Sequence, residues 1–151
     1  MPTYRVTENI AAPAARVWAS LRNVLAWPEW LPTVTSVTPL GVSNLEIGAR
    51  FRVLQPKLRP ATWEVVSVRE GEGFVWQAGS PGLAMSAGHV VEPTGPESCK
   101  LTLEFTFSGR LSPLAGLLAG SLTRRYIATE AASLKVVAEA DGSPASRRAI
   151  R

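Results

Sequence analysis

His89 is the only histidine in the 151-residue chain, and an imidazole is the side chain best suited to moving protons near neutral pH. It lies in "LAMSAGHVV", where Leu83, Met85, Ala87, His89 and Val91 share parity, so the alternation predicts that it points to the apolar side of a strand. There it is a candidate for orienting a bound molecule, and, as one histidine without an assigned partner, only a weak signal of catalysis. A core histidine satisfied by a neighbour is the competing reading, as is an outward one if a bulge shifts the register. No partner is assigned to it, and the chain shows neither a serine nucleophile elbow nor a phosphate-cradling glycine loop with a lysine. Histidines and cysteines at metal spacing are missing too, so the sequence predicts no metal and no cofactor.

The second chemical resource is aromatic surface. "LAWPEWLPTV", residues 25–34, carries Trp27 and Trp30 alongside Pro28 and Pro32, which hold the two rings on a rigid turn. Trp63 shares parity with Val65, and Trp76 with Phe74 and Ala78, on what read as adjacent strands. Facing inward, these rings make flat walls for an aromatic or polycyclic guest, with Met85 as an adaptable contact. Rings that simply close the core are the alternative. Tyr126 can offer a hydroxyl beside the stripe of a long helix, and Arg125 next to it a charge at the margin. Cys99, the only cysteine, excludes an internal disulfide and opens an alternating strand, so it reads as a packing thiol.

These side chains must be positioned by a recognisable series of elements. "YRVTENI" alternates and predicts a strand. After Pro13, "AARVWASLRNVL" repeats Val17, Trp18, Leu21, Val24 and Leu25 at helical spacing, and the prolines that follow leave room for at most one more short helical turn. From Thr33 the period falls to two, with strands expected at Thr33–Pro39, Ala49–Gln55, Ala61–Arg69, Gly73–Ala78, Leu83–Val91 and Lys100–Ser108. Turn material separates them, including "EGEG", "GSPG" and "EPTGPES". Ser112 as N-cap and Pro113 open a helix to about Ala140, with Leu114, Leu118, Leu122, Ile127, Ala131, Leu134 and Ala138 expected to face inward. The order predicts an α+β protein, a curved antiparallel sheet of about seven strands around a long C-terminal helix.

Hydrophobic residues make up 46% of the chain and charged ones 19%, which suits one domain, expected over residues 1–140. Net charge is +4, but the segment from Asp141 holds three arginines against one aspartate, so the preceding 13 basic and 11 acidic residues leave only +2. A disordered basic tail over 141–151 follows from that composition, and a nucleic-acid partner does not. "LSPLAGLLAGSL" is too short to cross a bilayer, and no signal peptide is visible at the N-terminus. A cytoplasmic monomer or homodimer without stable membrane insertion is expected.

Taken in order, "ENIAAPAARVWASL", "WPEWLPTVTSV", "IGARFRV", "FVWQAG", "GHVVEP" and "LTLEFTFSGRL" resemble the START-like, Bet v 1-like (SRPBCC) superfamily, and within it the polyketide cyclase/dehydrase type. The likeness spans about Thr3 to Ala140; Ala12 departs from it, where a capping Asp or Ser is commoner. The resemblance implies a helix-grip fold with two short helices after the first strand and an apolar cavity between sheet and final helix. It further implies that Trp27, Trp30, Trp63, Trp76, Met85 and His89, joined by Leu103, Phe105, Leu122 and Tyr126, contact a small hydrophobic ligand. A lipid, quinone, polyketide or aromatic metabolite fits that description. The expected function is carriage or sensing of such a molecule, and the alternative is a polyketide cyclase or dehydratase acting on it.

Overall fold

The structure is a computed structural model and describes residues 1–141; the expected tail beyond Asp141 lies outside the described residues. Strand β1 (Thr3–Ile10) leads into helix α1 (Ala14–Arg22), one 3-10 turn (Val24–Ala26) and the four-residue α2 (Trp27–Trp30). Then come β2 (Ser36–Pro39), β3 (Arg50–Leu54), β4 (Ala61–Arg69), β5 (Gly73–Ser80), β6 (Leu83–Gly95) and β7 (Ser98–Ser108), before α3 (Ser112–Asp141). The strands form one antiparallel sheet in the order β1-β7-β6-β5-β4-β3-β2. This curved sheet, the long C-terminal helix and the two short helices after β1 make an α+β helix-grip fold.

The strand boundaries follow local chemistry. β2 starts three residues later than the alternation suggests, because the Val34 amide is taken by the Leu31 carbonyl at 3.1 Å just after Pro32. β6 and β7 run further than expected, absorbing most of "EPTGPES", because Pro93 sits at a register irregularity where its missing N–H costs no ladder bond. A second irregularity between Val65 and Ser67 bends β4. Between β5 and β6, Pro81 and Gly82 occupy the middle of a tight turn; Gly82 has φ +81°, the left-handed region in which a glycine is relaxed.

α1 buries Val17, Trp18 and Leu21, but Leu25, grouped with them by spacing, is 37% exposed. The helix stops at Arg22, and the 3-10 turn rotates Leu25 outward while sinking Val24 and Trp27. Larger is the correction on α3. Leu114 and Leu118 do not face the sheet: they are 51% and 75% exposed, with Leu117 at 81%. The inward face at that level is built from small residues. A Cβ on Gly120 would meet the Tyr4 hydroxyl oxygen at 2.6 Å, and one on Gly116 would meet Pro2 Cγ at 2.7 Å, so the glycines let β1 and its lead-in lie close against α3. Leu111, whose carbonyl accepts from the Ala115 amide at 3.0 Å, takes the cap position assigned to Ser112. Towards the C-terminus, Ala131, Leu134 and Ala138 are buried as their spacing implies.

Candidate functional site

Between the sheet and the first five turns of α3 lies a cavity of about 690 Å³, within the range of small-molecule sites. Its innermost wall combines Trp27 from α2, Trp76 from β5, His89 from β6 and Leu103 from β7, all buried. Trp63 and Phe105 stand in edge contact at 6.0 Å, and Trp63 lies 5.7 Å from Trp76 across β4 and β5. Met85, Phe107, Leu122 and the ring of Tyr126 extend the lining, with Ala115 and Ala119 where the helix is thinnest. Exposed Leu58, Arg59 and Pro60, from the β3–β4 loop, form the rim.

Nine of the ten side chains singled out in the sequence therefore line one space; Trp30 does not. Its ring packs on Trp27 at 6.0 Å and supports the wall from behind. Trp27 is fixed from the other side by its indole N–H, which donates to the Leu21 carbonyl at 3.0 Å. Tyr126 gives the cavity its ring only, since its hydroxyl donates to the Pro56 carbonyl in the rim loop. Arg125 is exposed. Cys99 is buried at the β1–β7 pairing, away from the cavity lining, and burial pushes its thiol up.

His89 is 3% exposed and points inward, as its parity implies. Its ring stacks on Phe74 at 4.1 Å and 10°, and its Nδ1 lies 3.2 Å from the Phe74 carbonyl oxygen. A carbonyl can only accept, so Nδ1 carries the hydrogen. The other ring nitrogen, Nε2, faces Glu130 Oε2 on α3 at 3.4 Å. That oxygen is sealed from solvent and has no hydrogen-bond partner. Glu130 went unnoticed in the sequence. Its signal was present, though: it is the only acidic residue between Glu104 and Glu139, and stands four residues beyond Tyr126 on the same helical face.

Among the described residues no group of three or more potential ligands could hold a metal ion, and no helix is long and apolar enough to cross a membrane. What the site can do is bury a mostly apolar molecule against aromatic walls while presenting one ionisable pair.

Solved structures match this architecture closely. The ZhuI aromatase/cyclase from Streptomyces sp. R1128 superposes with a TM-score of 0.75 at 20% identity, covering 95% of this chain and 97% of its own. Norcoclaurine synthase from Thalictrum flavum, in complex with dopamine and hydroxybenzaldehyde, gives 0.72 at 15% identity over 90% and 85%. A START superfamily protein from Mycobacterium smegmatis gives 0.71 at 17% over 91% and 97%. At such identities the likeness shows the fold alone. None of the curated proteins matches the sequence. The family model described as "Polyketide cyclase / dehydrase and lipid transport" matches residues 1–139, nearly the whole of the described fold, and the chain belongs to that family.

Proposed function

We propose that the protein binds a small, largely apolar molecule in the cavity between sheet and α3 and serves as its carrier or sensor. The observation that carries this reading is the 690 Å³ hollow walled by Trp63, Trp76 and Phe105 and thinned on the helix side to Ala115 and Ala119. A core optimised for stability alone fills such a space with side chains, because interiors pack to crystal-like density. Burial of apolar area, at roughly 25 cal/mol per Å², supplies the affinity. We take the protein to act in the cytoplasm as a monomer or homodimer, with no nucleic-acid partner. The test is native mass spectrometry of freshly purified protein, joined to titration with the apolar fluorophore N-phenyl-1-naphthylamine. A bound guest, or saturable probe binding at one site per chain, is expected; absence of both ends the reading.

A second reading, cyclase or dehydratase chemistry, is favoured by the His89–Glu130 pair and by the fold shared with an aromatase/cyclase and a norcoclaurine synthase. Holding a flexible chain folded in the hollow raises effective concentration without a large catalytic set. Loss of turnover in a folded His89→Ala variant is the expected result under this reading; unchanged turnover removes His89 from it.

A further inference from the structure

The start of α3 sets four leucines in solvent. Leu111, Leu114, Leu117 and Leu118 are 44%, 51%, 81% and 75% exposed, and their three- and four-residue spacing joins them into one ridge. Single apolar side chains on a surface are ordinary, but a continuous patch marks a contact. Its position narrows what it meets. Gly116, Gly120 and Arg124 turn to the other flank of the helix, where the Arg124 guanidinium lies 5.2 Å over the Tyr4 ring of β1. Leu118 instead adjoins Ala115, Ala119 and Leu122 on the helix surface, and these three line the cavity. The ridge therefore begins where the lining ends, on the flank away from β1.

The β3–β4 loop adds a second element at the opening. Leu58 is 44% exposed on the rim, between Lys57 and Arg59, and the Tyr126 hydroxyl ties this loop to α3 by donating to the Pro56 carbonyl. The charge on both elements has one sign. No acidic residue occurs between Glu46 and Glu64, or between Glu104 and Glu130. Exposed Lys57, Arg59, Arg110 and Arg125 make no ion pair with a described residue. A second copy of the chain would set like charges against each other across such a face. A partner helix needs a groove to lie in, and the leucines form a convex ridge instead. An anionic bilayer meets both features, since its acyl region receives the leucines and its headgroups attract the cations.

We propose that the leucine ridge and the Leu58 loop dock the open side of the cavity reversibly on an anionic membrane, so that an apolar guest passes between bilayer and hollow without crossing water. The inference rests on the carrier reading for its use and adds the source of the cargo. Docking is peripheral: the first turns of α3 lie along the interface, and among the described residues no helix is long and apolar enough to span it.

The test is flotation of the full chain with vesicles of equal parts phosphatidylglycerol and phosphatidylcholine, against vesicles of phosphatidylcholine alone. Binding to the mixed vesicles is expected, and binding at least about tenfold weaker where the cations lose their counter-charge. Leu114→Ser/Leu118→Ser should lose at least about tenfold on the mixed vesicles, because two leucines no longer enter the acyl region. Arg125→Gln should lose about fivefold. These positions are exposed and outside the cavity lining, so circular dichroism and N-phenyl-1-naphthylamine binding in solution should match wild type. Every protein compared retains residues 142–151, so the arginines there cannot produce the differences. Wild type that floats with neither vesicle, or flotation that survives Leu114→Ser/Leu118→Ser, overturns the proposal and leaves the cavity standing. Retention on immobilised poly-glutamate without flotation assigns the face to an acidic protein and overturns it as well. Failure to bind the fluorophore, with ridge-dependent flotation intact, brings down the carrier reading and leaves the membrane face.

Discussion

The two halves of α3 belong to one continuous helix but obey different rules. From Ala131 on, its inward residues Ala131, Leu134 and Ala138 are 0–1% exposed and close a dry core with α1 and the neighbouring strands. Before Glu130 the inward face is Ala115, Ala119, Leu122, Thr123 and Tyr126, which line a hollow, while Leu114, Leu117 and Leu118 stand in solvent. One half spends its apolar side chains on stability. The other keeps small residues inside and carries large ones outside, the inverse of an amphipathic helix built for packing. Glu130 marks the boundary.

Substitutions should therefore separate stability from binding according to which half they strike. Leu134→Ala is expected to have the largest effect, about 2–5 kcal/mol of stability, because the rigid surroundings cannot collapse onto the lost side chain. Thermal denaturation reads the loss, and binding of N-phenyl-1-naphthylamine by the remaining folded protein should stay the same. Ala119→Trp should do the converse. The indole enters existing space, so the melting temperature should move by a few degrees at most, while fluorophore affinity drops at least tenfold. A binding loss in the first variant, or unaltered binding in the second, would erase the division.

This division also explains what could be read in advance. The strand series and the later stripe of α3 were legible because one partner surface buries one face, and burial imprints its period on the sequence. The stripe through Leu114 and Leu118 misled, because periodicity reports where apolar residues recur and is silent on which face meets the protein. Gly116 and Gly120, four apart on the face opposite those leucines, were the better guide, since a strand crosses there at contact distance. Nine cavity residues were recognisable as aromatic or apolar at inward parity, yet nothing local distinguishes a wall from a core; the gap between layers is set by several elements at once. Trp30 shows the limit, for its type and spacing match Trp27 but it braces the wall from outside the hollow. Glu130 was passed over for a related reason, as a lone acid on a helix usually means solvent.

The close approach in the first half can be probed more finely. Gly120→Ala improves helix propensity by up to about 1 kcal/mol but places a methyl 2.6 Å from the Tyr4 hydroxyl oxygen. Tyr4 is buried and braced edge-on by Phe107 at 6.2 Å, so the clash should prevail and the variant lose about 1 kcal/mol or slightly more. In a Tyr4→Phe background the obstructing oxygen is gone, and the same substitution should become neutral or stabilising. A double-mutant cycle from urea unfolding gives the coupling directly. Additive effects would mean that the glycine is not there for the strand.

The smallest expected effect belongs to the far end of the packed half. Glu139 accepts from Lys135 Nζ at 2.6 Å, one turn earlier, and from the Ala11 amide at 2.8 Å, tying α3 to the end of β1. The Lys135 hydrogen bond, then the Ala11 amide, hold its carboxyl below the usual carboxylate range against a small opposing contribution from burial. A carboxyl whose pKa is lower in the folded chain than in the unfolded one contributes stability above its unfolded value and loses it as pH falls through the folded one. The contribution should thus be complete at neutral pH and fade below about pH 4. With side chains roughly a third exposed on both partners, the pair is worth only about 0.2–0.5 kcal/mol. Glu139→Gln should therefore be slightly less stable than wild type at pH 7 and indistinguishable from it at pH 3, with fluorophore binding equal at both ends of the comparison. A gap that widened toward low pH would reverse the sign assigned to this carboxyl, and a loss of binding would join the far end of α3 to the cavity from which its packing separates it.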